Sequence, residues 1–325
     1  MPFDSQSPGT LRADIEGREV MSAPAGRRVR GLVVAAFGRH FDVDIGNGER
    51  LACVARGKKG GIACGDQVAL RATGAGQAVI EDILPRQTLL FRADAHRTKL
   101  IAANVTQAVV VVAAQPTFYP DLLDRCLIAA DAAGVRTLIV LNKCDLEDLT
   151  EHAAQALSLY ERLGYDLLKV SAHRSIDALR PRLEGHTSIL VGQSGMGKSS
   201  ILNALLPDAG AAIGEISEAL DTGRHTTTAT RLHPLDPESR IIDSPGLQEF
   251  GLSALEPPEI ARSFPEFRPH LDRCRFRNCG HRSEPGCAVL EATRLGTIDP
   301  RRLASYHRIV ASLAPPRRPA HGSRR

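Results

Sequence analysis

Residues Val191-Gly192-Gln193-Ser194-Gly195-Met196-Gly197-Lys198-Ser199-Ser200 carry the spacing G-x-x-x-x-G-K-S. They follow the apolar run Ser188 to Val191 and precede the apolar-periodic segment Ile201 to Leu206. That context predicts strand, glycine loop and helix, the setting of a phosphate-binding loop. Glycines let successive backbone N–H groups turn inward around phosphate oxygens, and the helix N-terminus adds its positive end. Lys198 is expected to reach the β- and γ-phosphates, and Ser199 to offer its hydroxyl to Mg²⁺. A bare glycine turn is the bland alternative; the flanking strand and helix argue against it.

Working outward, residues 89–253 alternate strand and helix. The run Gln107–Ala114 predicts a buried strand, Asp121–Ala133 an amphipathic helix, and Thr137–Leu141 the next strand. A helix over about Glu151–Leu163 and a strand Leu167–Val170 follow, before the phosphate loop. This is the pattern of a parallel sheet covered by helices on both faces.

Two motifs stand at the ends of these strands. Asn142-Lys143-Cys144-Asp145 has the N-K-x-D form of a guanine reader. A carboxylate at Asp145 accepts two parallel hydrogen bonds, from guanine N1–H and the exocyclic amine, a pair adenine does not supply. Asn142 is expected to brace the loop and accept from the base, and the Lys143 stem to cover one ring face. Ser171-Ala172, after the next strand, would turn a backbone N–H toward the guanine O6. Downstream, Asp243-Ser244-Pro245-Gly246 follows Ile241-Ile242. D-x-P-G there places a carboxylate near Mg²⁺ and a Gly246 N–H near the γ-phosphate.

Between these lies Gly223-Arg224-His225-Thr226-Thr227-Thr228, a polar segment suited to a switch loop that completes the Mg²⁺ shell. Thr227 is the favoured ligand, with Thr226 and Thr228 open alternatives. Leu247 follows D-x-P-G where Ras-like enzymes have a water-orienting Gln. Leu cannot hydrogen-bond water, and His225 is the candidate replacement because imidazole accepts a proton near neutrality. A surface His in a polar loop is the plain alternative. The motif order is permuted: N-K-x-D and Ser-Ala precede the phosphate loop, as in a circular permutation.

On the N-terminal side, short alternating runs (Gly31–Phe37, His40–Ile45, Leu51–Ala55, Gln67–Ala72, Ala78–Leu84) separated by glycine turns predict a small β-barrel of OB-fold size. Phe37, Arg39, His40 and Phe41, with Arg56, Lys58 and Lys59, form a candidate nucleic-acid face; a core Phe pair and a solvated basic turn are the bland alternative. Residues 1–27 lack periodicity and are expected to form a disordered arm.

On the C-terminal side, Cys274, Cys279, His281 and Cys287 fall within 14 positions. Three thiolates and one imidazole make a closed, tetrahedral, structural zinc set. The segment around them is loop-like, without an evident apolar core, and is expected to need its metal to fold. Helices are predicted over Ala288–Leu295 and Arg301–Leu313, then a basic tail. The last 65 residues hold 14 Arg, no Lys and 5 acids, a charge of +9 against −5 for the rest. That asymmetry points to a polyanionic partner, most simply nucleic acid.

Composition excludes little else. Apolar residues are 43% and charged residues 24%, as in a globular protein, and seven Cys without a secretory leader argue for a reducing cytoplasm. No run approaches 18 apolar residues, so no membrane span is expected.

Together these motifs resemble the circularly permuted, ribosome small-subunit-dependent GTPases of the RsgA (YjeQ) family. N-K-C-D, G-Q-S-G-M-G-K-S-S, D-T-G-R-H-T-T-T, D-S-P-G-L-Q-E-F-G-L and C-x₄-C-x-H-x₅-C occur in the family's order over nearly the whole chain. The resemblance implies an OB-fold barrel (28–88), an α/β circularly permuted phosphate-loop GTPase domain (89–253) and a mostly α zinc-binding domain with a basic tail (254–325). It also implies Mg²⁺-dependent GTP hydrolysis stimulated by the small ribosomal subunit, contact with its rRNA in late maturation, and a catalytic His225. A cytoplasmic monomer is expected. A small-molecule kinase would leave N-K-x-D without a purpose. A non-catalytic GTP-bound RNA-binding scaffold, favoured by Leu247, is the alternative.

Overall fold

The computed structural model describes residues 28–46, 48–56, 61–94, 97–207 and 229–313. The arm 1–27, Lys58, Lys59, and the switch residues Gly223 to Thr228 with His225 and Thr227 lie outside them.

The first five strands are β1 (Arg28–Phe37), β2 (His40–Asp44), β3 (Arg50–Ala55), β4 (Gln67–Gly74) and β5 (Gln77–Ile83). β2 pairs with β1 and β3, β5 lies between β3 and β4, and β4 closes back on β1. That ring is the barrel expected from the alternating runs. Each strand turns one set of side chains inward, so Val33, Phe41, Val43, Leu51, Val68, Leu70 and Ile80 fill a barrel core of their own. Phe41 is thus a core residue, which removes it from the candidate nucleic-acid face; its place in the His40–Asp44 alternation points inward.

The second half holds β8 (Gln107–Ala113), β9 (Arg136–Asn142), β10 (Asp166–Lys169), β11 (Thr187–Val191), β12 (Thr230–Pro234) and β13 (Arg240–Asp243). The order β10-β9-β8-β11-β13 is parallel throughout, with β12 antiparallel on β13. All seven residues of β8 are buried, as a strand covered on both faces requires. Helices α1 (Pro120–Ala132), α2 (Glu147–Arg162), the short α3 (Arg180–Leu183) and α4 (Lys198–Leu205) complete this half. A hairpin of β6 (Leu89–Asp94) and β7 (Arg97–Ala103) leads into it from the barrel.

The two halves share one sheet. β1 pairs with β4 over Arg28–Leu32, shifts register between Val33 and Ala35, and then pairs with β12 through Ala35 and Ala36. The irregularity lets consecutive residues serve different cores: Val33 packs in the barrel and Val34 in the large core.

The C-terminal helices are α5 (Pro257–Arg262), α6 (Arg268–Leu271), α7 (Ala288–Arg294) and α8 (Pro300–Leu313). Here the sequence misled in one respect. Phe264, Phe267, Val289, Ile298, Tyr306 and Ile309 are buried and continuous with the large core, so this region does have apolar support. The seam also holds a buried ionic group. Arg302, 2% exposed, pairs with Asp124 of α1 and with Glu266 at 2.6 Å, while Tyr160 donates to Asp124 at 2.8 Å. No helix among the described residues is long and apolar enough to cross a membrane.

Candidate GTP site and metal centre

Because β8, β9, β10, β11 and β13 run parallel, their carboxyl ends open on one edge of the sheet, where α/β folds bind ligands. β9 ends at Asn142 and opens into Lys143-Cys144-Asp145. After β10 come Ser171 and Ala172, after β11 the phosphate loop, and β13 ends at Asp243 before Ser244, Pro245 and Gly246. The chain reverses direction across the sheet between β8 and β11, which puts the phosphate loop at the switch point.

The loops interlock. Gly192 has φ +147°, and a Cβ on it would collide with the Val111 carbonyl. Gly197, the residue before α4, has φ +88°, and a Cβ there would strike the Asn142 amide. Only glycine lets the phosphate loop lie this close to both neighbours. Asn142 is 1% exposed; its amide donates to the Met196 carbonyl at 3.0 Å, and its oxygen accepts from the Ala172 N–H at 3.1 Å. One side chain therefore ties the N-K-C-D, Ser-Ala and phosphate loops together. The bracing half of the Asn142 expectation is thus met, and its oxygen keeps a second lone pair with which to accept from a base. Met196 is buried beneath the loop, whereas Ser194, Gly195 and Ser199 face solvent and Ser200 is half-buried.

Asp145 accepts from the Ser171 hydroxyl at 2.5 Å, which keeps its carboxyl below its ordinary pKa. Lys143 sits at φ +63°, and its ammonium donates to the Gln115 carbonyl at 2.9 Å, which stretches its stem along the site. The Cys144 thiol turns to the Leu141 carbonyl, and its N–H joins Val170, so Cys144 supports the loop.

The Lys198 ammonium donates to the carbonyls of Gly192 at 2.6 Å and Gln193 at 3.1 Å. Burial lowers its pKa, with the Asp243 charge opposing. Burial raises that of Asp243, with Lys198 and then Arg231 opposing. Ser244 reaches the Thr230 hydroxyl at 3.1 Å, linking D-S-P-G to the strand that leaves the switch segment. Leu247 is buried in the core and turned away from any water-orienting role.

Cys274, Cys279, His281 and Cys287 present donor atoms that all lie within 4.8 Å of one another. The Cys274 sulfur is 3.7 Å from His281 Nδ1 and 3.9 Å from the Cys287 sulfur, and Nδ1 is 3.4 Å from the latter. Thiolate and imidazole bonds of about 2.3 and 2.0–2.1 Å set tetrahedral edges near those lengths, so the set fits a metal ion. The His281 ring rests among Phe267 and Tyr306, and Cys287 starts α7, its sulfur accepting from the Leu290 N–H at 3.5 Å.

The family model for the RsgA GTPase matches residues 83–253. The chain is 52% identical over 308 residues to the small ribosomal subunit biogenesis GTPase RsgA of Nitrosospira multiformis, covering 95% of this chain and 97% of that one. It is 50% identical to the protein of that name from Burkholderia pseudomallei, over 89% and 94% of the two chains. The chain belongs to the RsgA GTPase family. Among solved structures, YjeQ from Thermotoga maritima matches with a TM-score of 0.68 and 32% identity, covering 88% of this chain and 99% of that one. YloQ, described as a circularly permuted GTPase, matches with a TM-score of 0.64 and 26% identity over 88% and 95%. The permuted motif order is thus that of the fold family, and the reaction is GTP hydrolysis.

Sequence reasoning missed the segment after β8. The Gln115 carbonyl receives Lys143, Pro116 packs within 3.1–3.3 Å of a Cβ built on Gly195, and the Tyr119 N–H donates to Gln193 at 3.3 Å. The available signal was position: Gln115-Pro116-Thr117 follows a buried parallel strand, whose carboxyl end belongs to the ligand edge. Thr230 was missed as well; only the pairing of β12 with β13 brings it to Ser244.

Proposed function

We propose that this chain is a cytoplasmic, monomeric checkpoint GTPase of small ribosomal subunit maturation. It holds the subunit's RNA in the GTP state and leaves after hydrolysis. The convergence of the N-K-C-D, Ser-Ala and D-S-P-G loops on the phosphate loop supports this most strongly, in a chain half identical to relatives named for that role. The +9 charge of the last 65 residues fits a polyanionic partner.

In this proposal Asp145 reads the guanine N1–H and amine, with Lys143 along one ring face and the Ala172 region at O6. Residues 192–200 wrap the phosphates, and Lys198 turns from its own loop carbonyls to the β- and γ-phosphates. Ser199, Thr227 and Asp243 would hold Mg²⁺, which neutralises charge on the phosphates when bound. Gly246 senses the γ-phosphate. His225 orients water for in-line attack on the γ-phosphorus; the bond to the β–γ bridging oxygen breaks, giving GDP and phosphate. Leu247 cannot serve there, and contact with the subunit would seat the switch segment carrying His225. Zn²⁺ suits the Cys₃His set and would be structural, since four protein donors leave no open position. The division at 28–88, 89–253 and 254–325 assigns grip to the outer parts and timing to the middle.

The test is a comparison of Ser199→Ala and His225→Ala on purified small subunits. The first variant is expected to lose GTP turnover, and the second to keep nucleotide binding while losing subunit-stimulated turnover. Normal turnover by Ser199→Ala would overturn the site assignment. Undiminished stimulation of His225→Ala would overturn the catalytic role alone.

A further inference from the structure

The loop between Cys274 and Cys279 carries Arg275-Phe276-Arg277 outward. Phe276 is 41% exposed, unusual for a large apolar side chain, and the Arg275 guanidinium lies 5.5 Å from its ring centroid. Arg273, Arg275, Arg277 and Arg282 are all exposed and form no ion pair among the described residues. The nearby acids do not cancel this charge. Asp272 is one exposed carboxylate, and Glu284 is occupied by the N–H groups of Gly280, Arg282 and Ser283 at 2.8–3.0 Å.

The tip is also set in place. The Cys279 N–H closes a turn on the Phe276 carbonyl, the Arg275 N–H bonds the Gly286 carbonyl at 3.0 Å, and Gly286 has φ +74° with the Arg275 Cβ 3.1 Å from where its own Cβ would stand. Cys274 and Cys279 bracket the tip, and their sulfurs belong to the four-donor set. An exposed aromatic ring with a guanidinium against it, and with further exposed arginines close by in the chain, matches one ligand chemistry well: an unstacked base whose flanking phosphates meet the arginines.

We propose that Phe276 is a base-stacking platform for an unpaired nucleotide of RNA, with Arg273, Arg277 and Arg282 on the adjoining phosphates. This rests on the proposal that the small ribosomal subunit is the partner. It adds a defined residue, a single-stranded target and a mode of contact that composition does not supply.

The experiment measures affinity for purified small subunits with a non-hydrolysable GTP analogue across a salt series. It compares the full chain with Phe276→Leu, Phe276→Tyr and Arg277→Ala, with metal content per chain recorded. Phe276→Leu is expected to bind about 5- to 160-fold more weakly with an unchanged salt slope, as loss of one stacked base implies. Phe276→Tyr is expected within about twofold of the original, and Arg277→Ala to reduce the slope by about one. A photoreactive benzoylphenylalanine at position 276 is expected to crosslink RNA. Unaltered binding by Phe276→Leu, equal losses in Leu and Tyr variants, a loss that tracks metal content, or a crosslink to protein would each overturn the stacking role while leaving the GTPase assignment intact. Absence of small-subunit binding by the unaltered chain would overturn the stacking role together with the proposed ribosomal partner, and would leave GTP hydrolysis in place.

Discussion

The nucleotide edge and the Cys₃His centre are both built from loops, but different forces hold them. At the nucleotide edge, every loop hangs from the carboxyl end of a parallel strand, and Asn142 pins three of them together. Around Cys274, Cys279, His281 and Cys287, the loops between α6 and α7 have little regular structure, and their four donor atoms converge where a metal ion could hold them. A sheet-held site should survive loss of its chemistry with its fold intact. A metal-held site should not.

Cysteine replacement breaks this contrast most forcefully. Structural zinc centres bind with apparent free energies of about 10–16 kcal/mol, coupled to folding. Cys279→Ser is therefore expected to lose the metal and unfold the 272–286 loops while GTP affinity stays within a few-fold, measured by metal analysis, limited proteolysis and nucleotide titration. The core around Phe264, Phe267 and Tyr306 should remain folded, because it belongs to the large core.

Next in size is Asp145→Asn. Two charge-assisted bonds at about 1.5–3 kcal/mol each give a loss of about 3–6 kcal/mol in GTP binding, or 10²- to 10⁴-fold. The thermal midpoint should barely move, since Asp145 is half-buried at the sheet's rim and Ser171 is its side-chain partner. A large loss of stability would show that the edge is held by its own polar groups and not by the sheet.

The seam between the regions comes third. Arg302→Met would leave Asp124 and Glu266 buried without their shared cation, at a cost of about 3–5 kcal/mol. Denaturant unfolding is expected to show the loss, and adding Asp124→Asn to recover part of it.

The smallest effect is a pH dependence at the rim of that seam. Arg308 bonds Asp121 at 2.7 Å and holds its carboxyl below the ordinary value, with burial opposing and Ser305 and Arg125 assisting. A folded pKa depressed below the unfolded one stabilises fully above the unfolded value and is lost as pH falls through the folded value. Because the pair is well exposed, the contribution is under about 1 kcal/mol. The thermal midpoint of Asp121→Asn should therefore converge on that of the parent below about pH 4 and fall short of it near neutrality.

How much of this was legible follows the same contrast. Strand-end motifs are local, so Asp145, Lys198, Asp243 and the loops around them were readable from spacing and flanking apolar runs. The convergence of Cys274, Cys279, His281 and Cys287 was readable because all four fall within 14 positions. What depends on distant pairing was not legible. Nothing in Arg28–Phe37 announces that its two ends serve different partners, and the β1–β12 pairing that merges barrel and GTPase sheets depends on residues nearly 200 positions apart. Phe41 was ambiguous because a barrel strand and a stacking face use the same residue types. The support beneath the Cys₃His loops was hidden because Phe264, Phe267 and Tyr306 become a core only when α8 folds back on them.

The central claim is that this edge hydrolyses GTP and is completed by the small ribosomal subunit. The direct measurement is GTP turnover by the full chain alone, with purified small subunits, and with large subunits as control. Intrinsic turnover on the order of 10⁻⁴ s⁻¹, as for unassisted Ras-type sites, is expected to rise strongly with small subunits and not with large ones. Bound GTP that never turns over, even with small subunits, would contradict it and leave a nucleotide-bound RNA-binding scaffold.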